Sequence, residues 1–148
     1  MTVIIVVGHG AFGPALTQTA QMLVGGIDTA RALEFAPGTA ASDLAAAVAR
    51  LIDEAAVSDG VLILTDIAGG TPSRVALAEA AAGRAHAVTG ANLAMLVEAL
   101  LAPADIGVEA LAARVADAGR AGVRDLRAEL AAAATTPTGT TTESGGLV

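Results

Sequence analysis

Two residues whose types suit phosphoryl transfer come directly after apolar runs of this sequence. His9 stands in Gly8-His9-Gly10, after the apolar run 3–7, and Asp66 follows a second apolar run, 61–65. Short β-branched runs that end in a turn are typical of buried parallel strands. Since ligands bind at the carboxyl ends of parallel strands, we expect both side chains at one sheet edge. A carboxylate that accepts from one imidazole nitrogen would leave the other nitrogen nucleophilic.

A glycine-rich segment follows Asp66 and is a candidate anion site. Its sequence predicts a helix that starts with Thr71 as N-cap and Pro72 as the first helical residue. Backbone N–H groups and the positive dipole end of such a helix bind phosphate. The same sequence also suits an ordinary capped helix. The predicted phosphate-binding residues are Gly69, Gly70, Thr71 and Ser73.

Strand and helix patterns alternate along the chain. Two further strands are predicted at 31–35 and 85–88, with helices between the strands and after the last one. This βαβ alternation predicts an α/β fold, a doubly wound parallel sheet in the order 2-1-3-4. The chain then reverses direction between strands one and three, which brings His9 and Asp66 to the switch point where ligands bind.

Composition excludes several classes of function. The chain has 148 residues, enough for one domain, with 54% hydrophobic residues, 1% aromatic residues, no cysteine and a net charge of −7. Nucleic acid is not expected as a partner, because its binding needs clustered cations or stacking aromatic rings. We expect a cytoplasmic protein without disulfides, leader peptide or membrane span. Neither a cofactor nor a metal is expected, because the second histidine, His86, stands among alanines far from His9.

Three other functions remain open from the residues alone. Gly8, Gly10 and Gly13 spell G-x-G-x-x-G between a strand and a helix, and Glu34 follows about 20 residues later. This pattern is typical of a dinucleotide-binding module. A small metal chelatase would need a second histidine at the same edge, and His86 is poorly placed for it. The third function that remains open is that of a regulatory protein that uses phosphorylation as a signal.

Three motifs in this order resemble the IIA component of the mannose family of the bacterial sugar phosphotransferase system. They are Gly8-His9-Gly10 with Phe12 and Leu16, the segment 66–73, and the segment 89–96, within a resemblance that runs from about residue 2 to 128. It implies that His9 accepts phosphate from phospho-HPr and passes it to a IIB component, here expected as a separate chain. The membrane components IIC and IID would act indirectly, and Asp66 would orient His9.

The resemblance also implies a homodimer that exchanges a C-terminal antiparallel strand, which would be segment 122–128. Local sequence favours a helix instead, because Val123, Leu126 and Leu130 are helically spaced and an alanine run follows. We expect the strand, since tertiary pairing overrides propensity in short segments. The domain is predicted to span residues 1–130, and residues 131–148 to form a flexible Thr/Gly/Pro-rich tail.

Overall fold

The protein folds around a four-stranded, all-parallel sheet with the order β2-β1-β3-β4. The computed structural model describes residues 1–26 and 30–135. Both the predicted α/β class and the predicted strand order are confirmed. The strands are β1 (Val3–His9), β2 (Ala30–Phe35), β3 (Val61–Thr65) and β4 (His86–Thr89).

Helices cover both faces of the sheet, which is why the central strands are apolar throughout. One face packs on α1, α4 and α5, and the other packs on α2 and α3. Residues 4–7 of β1 and 62–64 of β3 are at most 1% exposed, as expected for strands buried on two sides. The helices are α1 (Phe12–Val24), α2 (Ala41–Glu54), α3 (Thr71–Ala81), α4 (Leu93–Leu101), α5 (Val108–Ala121) and α6 (Leu126–Thr135).

The register of β1 determines what meets at the carboxyl edge of the sheet. Val7 pairs with Thr65, so β1 extends two residues further than β3 and His9 lies beside the segment that follows β3. On its other side, His9 pairs with Phe35, the last residue of β2. The switch point between β1 and β3 therefore has His9 on one side and Asp66 on the other.

The strand expected at residues 122–128 is not formed in this single chain. Helix α6 instead begins at Leu126, and Asp125 Oδ1 accepts the amide protons of Arg127 and Ala128 at 3.0 and 3.1 Å. A lone segment has no strand to pair with, whereas an aspartate cap and an alanine run stabilise a helix locally. Strand exchange in a dimer stays a prediction.

Helix α6 also reaches into the segment that was predicted to be the tail. Helix α6 continues through Thr135, so residues 131–135, expected in the flexible tail, are helical. The rest of that tail, 136–148, lies outside the described residues. No helix in the described part of the chain is long and apolar enough to cross a membrane.

Helix α3 starts one position earlier than the sequence predicted. Its N-cap is Gly70, in extended conformation, and Thr71 is the first helical residue. Ser73 Oγ donates to the Gly70 carbonyl at 3.0 Å, which holds this first turn. Helix α4 has a side-chain cap, since Asn92 Oδ1 accepts from the Met95 amide at 3.2 Å.

Candidate functional site

His9 and Asp66 form a hydrogen-bonded pair at the carboxyl edge of the sheet. Asp66 Oδ2 lies 2.7 Å from His9 Nδ1 and also accepts the His9 amide proton at 2.8 Å. The other carboxylate oxygen, Oδ1, accepts from the Ile67 amide at 2.8 Å. The Asp66 side chain is 14% exposed, whereas that of His9 is 49% exposed. The carboxylate is therefore locked into the protein while half of the imidazole surface faces outward.

The electrostatics of the pair keep Asp66 ionised. Burial raises the pKa of Asp66, but the hydrogen bonds from the His9 amide, the His9 ring and the Ile67 amide outweigh it, with the charge of His9 adding to them. The net pKa lies below the ordinary value of 3.8. An ionised carboxylate only accepts hydrogen bonds, so the proton between the two groups belongs to Nδ1 of the histidine. In the neutral imidazole this leaves the lone pair on Nε2.

The loop before α3 lies against the histidine ring. A methyl group at Gly70 would come within 2.8 Å of His9 Cε1 and 3.5 Å of Nε2. A contact at 2.8 Å is too short for carbon atoms, so only glycine lets the loop approach this closely. Nε2 is consequently presented at the N-terminal end of α3.

Two predicted phosphate-binding residues contribute backbone donors at this helix start. The first amides of a helix have no carbonyl acceptor within it, and Pro72 has no amide proton, which leaves the amides of Thr71 and Ser73. The first amide with an acceptor in this turn is Arg74, which donates to Gly70 O at 3.1 Å. Since the Ser73 hydroxyl proton also goes to Gly70 O, Ser73 offers an anion its amide rather than its hydroxyl.

Gly69, the remaining predicted phosphate-binding residue, turns the loop. Its φ of +80° is a left-handed conformation that glycine adopts without strain. A methyl group there would meet nothing within 4 Å. Of the predicted set, Asp66 and Gly70 thus lie against His9, while Gly69, Thr71 and Ser73 belong to the loop and first helical turn that contain Gly70.

Phe35 contacts the histidine ring and was missed in the sequence. The two ring centroids are 5.6 Å apart and the ring planes are inclined by 70°, an edge-to-face arrangement. The available signal was the place of Phe35 at the end of the strand beside β1. Predicting a contact between Phe35 and His9 from this position would have required the register between β1 and β2, which the sequence does not give.

The last glycine of the G-x-G-x-x-G pattern serves close packing here. A methyl group on Gly13 would come within 2.7 Å of the carbonyl oxygens of Val6 and Leu33, so this glycine lets α1 approach the sheet. Glu34, the acid of that pattern, precedes Phe35. Because alternate residues of a strand face opposite sides, Glu34 points away from the face that holds Phe35.

The second histidine lies far from the first. His86 begins β4 whereas His9 ends β1, and the strands are parallel, so they occupy opposite edges of the sheet. In the described ranges, 1–26 and 30–135, no three His, Asp or Glu side chains converge to hold a metal ion. The second ligand that a chelatase needs is not supplied by His86.

Known proteins similar to this chain are components of the phosphotransferase system (PTS). A family model described as PTS system fructose IIA component matches residues 3–116. The mannose-specific EIIAB component of Escherichia coli is 34% identical over 133 residues, which are 87% of this chain and 41% of that protein. The chain therefore spans about two fifths of the length of this relative.

Two solved structures agree over nearly their whole length. The phosphotransferase system component EIIA of Streptococcus agalactiae has a TM-score of 0.78 and 28% identity, covering 86% of this chain and 99% of its own. The mannose/sorbose specific IIA subunit of Enterococcus faecalis has a TM-score of 0.77 and 28% identity, with coverages of 84% and 94%. Because the family model matches residues 3–116, well over half of the chain, this chain belongs to the family of PTS system fructose IIA components of the mannose type.

Proposed function

We propose that the chain is a phosphocarrier that holds a phosphoryl group on Nε2 of His9. The observation that carries the proposal is the imidazole itself, whose Nδ1 is tied to Asp66 at 2.7 Å and whose Nε2 lies at the start of α3. One ring nitrogen is thereby protonated and fixed, and the other is free to act as a nucleophile. Membership of the IIA family supports this role.

The donor in this proposal is phospho-HPr and the acceptor is a IIB component. Nε2 attacks the phosphorus in line, a new P–N bond forms, and the P–N bond of the donor breaks with its electron pair returning to the donor imidazole. The proton on Nδ1 stays in the hydrogen bond to Asp66, so no proton leaves His9 in this step. Transfer to IIB is the same exchange with His9 as the leaving group.

Asp66 and the first turn of α3 stabilise opposite charges during the transfer. Phosphorylation of neutral imidazole puts positive charge on the ring, and the adjacent carboxylate offsets it. The amides of Thr71 and Ser73, at the positive end of the helix dipole, face the phosphoryl oxygens. Because one P–N bond replaces another, the reaction is close to thermoneutral, and positioning and charge stabilisation are enough to make the transfer fast.

Sugar uptake is the pathway that we propose for this transfer, with the IIC and IID membrane components engaged through IIB. A IIA protein handles phosphate and not sugar, so the sugar is left unassigned. The absence of cysteine suits a reducing compartment, and we propose the cytoplasm. A regulatory use of the same phosphorylation is the alternative, distinguished by whether phosphate moves on to a IIB protein.

The test is phosphorylation in a defined mixture of enzyme I, HPr, phosphoenolpyruvate and this protein, followed by intact-mass measurement. We expect one added phosphate that is labile in acid and stable in base. His9→Ala should abolish it, whereas the matched control His86→Ala should keep it. Label that persists on His9→Ala would overturn the proposal.

A further inference from the structure

Phe35 is attached to the histidine segment by backbone as well as by side chain. It pairs with His9 in the register of β1 and β2, and the Gly10 amide donates to the Phe35 carbonyl at 2.9 Å. The backbones on both sides of the ring contact are therefore fixed relative to one another. A side chain at position 35 meets the histidine wherever β2 is paired with β1.

Both rings lie on the same face of the sheet. His9 continues the row of Ile5 and Val7, whose side chains pack in the core beneath α2 and α3, and Phe35 continues the row of Leu33. Phe35 itself packs partly against that same core. The Phe35 ring is therefore held by the core, and it restrains the His9 ring on the side that faces β2.

Three groups surround the imidazole, and each restrains it differently. Asp66 holds Nδ1 but lets the ring pivot about the hydrogen bond. The loop at Gly70 blocks movement on the Cε1 side, where only glycine fits. Phe35 supplies the contact from the neighbouring strand, with ring centroids 5.6 Å apart. With 49% of the His9 side chain exposed, no dense core of side chains duplicates these restraints.

We propose that Phe35 is a positioning residue for phosphoryl transfer, holding the His9 ring against Asp66 so that Nε2 faces the start of α3. Its apolar ring also keeps water from one side of the P–N bond and so slows hydrolysis of the phosphorylated form. This inference rests on the proposed phosphocarrier function. It extends that function to a side chain that has no polar atom and cannot itself bond to the transferred phosphoryl group.

The control is Leu51→Ala. Leu51 packs partly against the same core as Phe35, but it lies near the C-terminal end of α2, at the opposite edge of the sheet from His9. Leu51→Ala therefore removes an apolar side chain from this core without touching the histidine. Phe35→Leu removes the ring that contacts His9, and Phe35→Tyr retains it.

The first measurement uses the unphosphorylated protein, so it does not depend on phosphotransfer. Long-range proton–nitrogen NMR spectra report which imidazole nitrogen carries the proton. We expect the wild type, Phe35→Tyr and Leu51→Ala to show His9 protonated at Nδ1. Phe35→Leu should show a mixture of both tautomers, because a ring free to pivot spends part of its time away from Asp66.

The second measurement follows the phosphorylated protein. Phe35→Leu should accept phosphate from phospho-HPr about 3- to 10-fold more slowly, the range expected for loss of one edge-to-face aromatic pair. Its phosphate should also hydrolyse a few times faster, and Phe35→Tyr should restore both rates. Should Phe35→Leu fail to fold, Phe35→Met replaces it, since methionine fills the volume without a ring.

The outcomes separate this inference from the function on which it rests. If the wild type takes no phosphate on His9, the phosphocarrier proposal fails, and the tautomer spectra still decide whether Phe35 positions the ring. If Phe35→Leu matches Leu51→Ala in tautomer, transfer and hydrolysis, the positioning role is wrong. It is equally wrong if Phe35→Tyr fails to restore what Phe35→Leu loses.

Discussion

Replacing Asp66 by asparagine tests the geometry of the site most directly. The carboxylate accepts three hydrogen bonds, two from His9 on Oδ2 and one from Ile67 on Oδ1. Asparagine keeps the shape, but one of the two oxygens becomes an NH2 group, which only donates. The variant cannot satisfy all three donors in either orientation of its amide.

The two orientations damage the site in different ways. With its oxygen towards His9, the amide keeps the Nδ1–H tautomer, but its NH2 opposes the Ile67 amide and the negative charge is gone. With its NH2 towards His9, it opposes the His9 amide and favours the tautomer that carries the proton on Nε2. That tautomer has no lone pair to attack phosphorus.

The expected loss follows from the hydrogen bonds to a charged group, each of which contributes about 1.5–3 kcal/mol. One such bond lost in the transition state slows transfer about 10- to 150-fold, at 1.36 kcal/mol per factor of ten. The assay is rapid-quench transfer from phospho-HPr. Asp53→Asn, which alters an exposed carboxylate at the end of α2, is the control and should leave the rate unchanged. An Asp66→Asn rate within twofold of the wild type would refute the reasoning.

Three further predictions concern the loop, the acid stability and the C-terminal segment. Gly70→Ala places a methyl group 2.8 Å from His9 Cε1 and should slow transfer on the order of 10- to 100-fold in rapid-quench assays. The control Gly107→Ala, which has open space around the added methyl group, should leave the rate unchanged. Equal transfer rates for the two variants would contradict the contact between Gly70 and His9. Because the folded-state pKa of Asp66 is below 3.8, its contribution to stability is complete above that pH and is lost as the pH falls through the lower, folded-state value. In urea titrations the extra stability of wild type over Asp66→Asn should therefore still be present at about pH 5 and be lost only below pH 3.8. A difference that has already vanished at pH 5 would contradict the lowered pKa. Truncation before Gly122 should convert a dimer into a poorly soluble monomer by light scattering, and a truncated protein that stays dimeric would show that the segment does not hold the dimer together.

The amino-acid sequence by itself determined the sheet and the identity of its reactive edge. Short, β-branched apolar runs such as 3–7 and 61–65 are typical of strands buried on both faces, and βαβ units join such strands in parallel. Once the order is 2-1-3-4, residues that directly follow β1 and β3 must lie together. His9 and Asp66 were predictable for this reason, because their proximity follows from topology and needs no knowledge of side-chain packing.

Tertiary structure alone decided how the histidine is held. Whether Phe35 meets His9 depends on the register of β2 against β1, and a shift of one residue would bring Glu34 there instead. The need for glycine at position 70 arises from the approach of a loop to a ring that is distant in sequence. The sequence likewise allowed the Ser73 hydroxyl to bind an anion. In the structure α3 starts at Thr71, and the hydroxyl donates to the Gly70 carbonyl instead.

For the C-terminal segment, the local sequence predicts the structure of the single chain, and only a partner subunit could change it. Val123, Leu126 and Leu130 carry a helical spacing, and in the single chain the helix forms from Leu126, with the three side chains 80%, 73% and 72% exposed. A strand draws its hydrogen bonds from a partner, whereas a helix satisfies its own backbone. Sequence therefore determines what this segment does alone, and only a paired sheet edge in a second subunit can decide whether it becomes a strand.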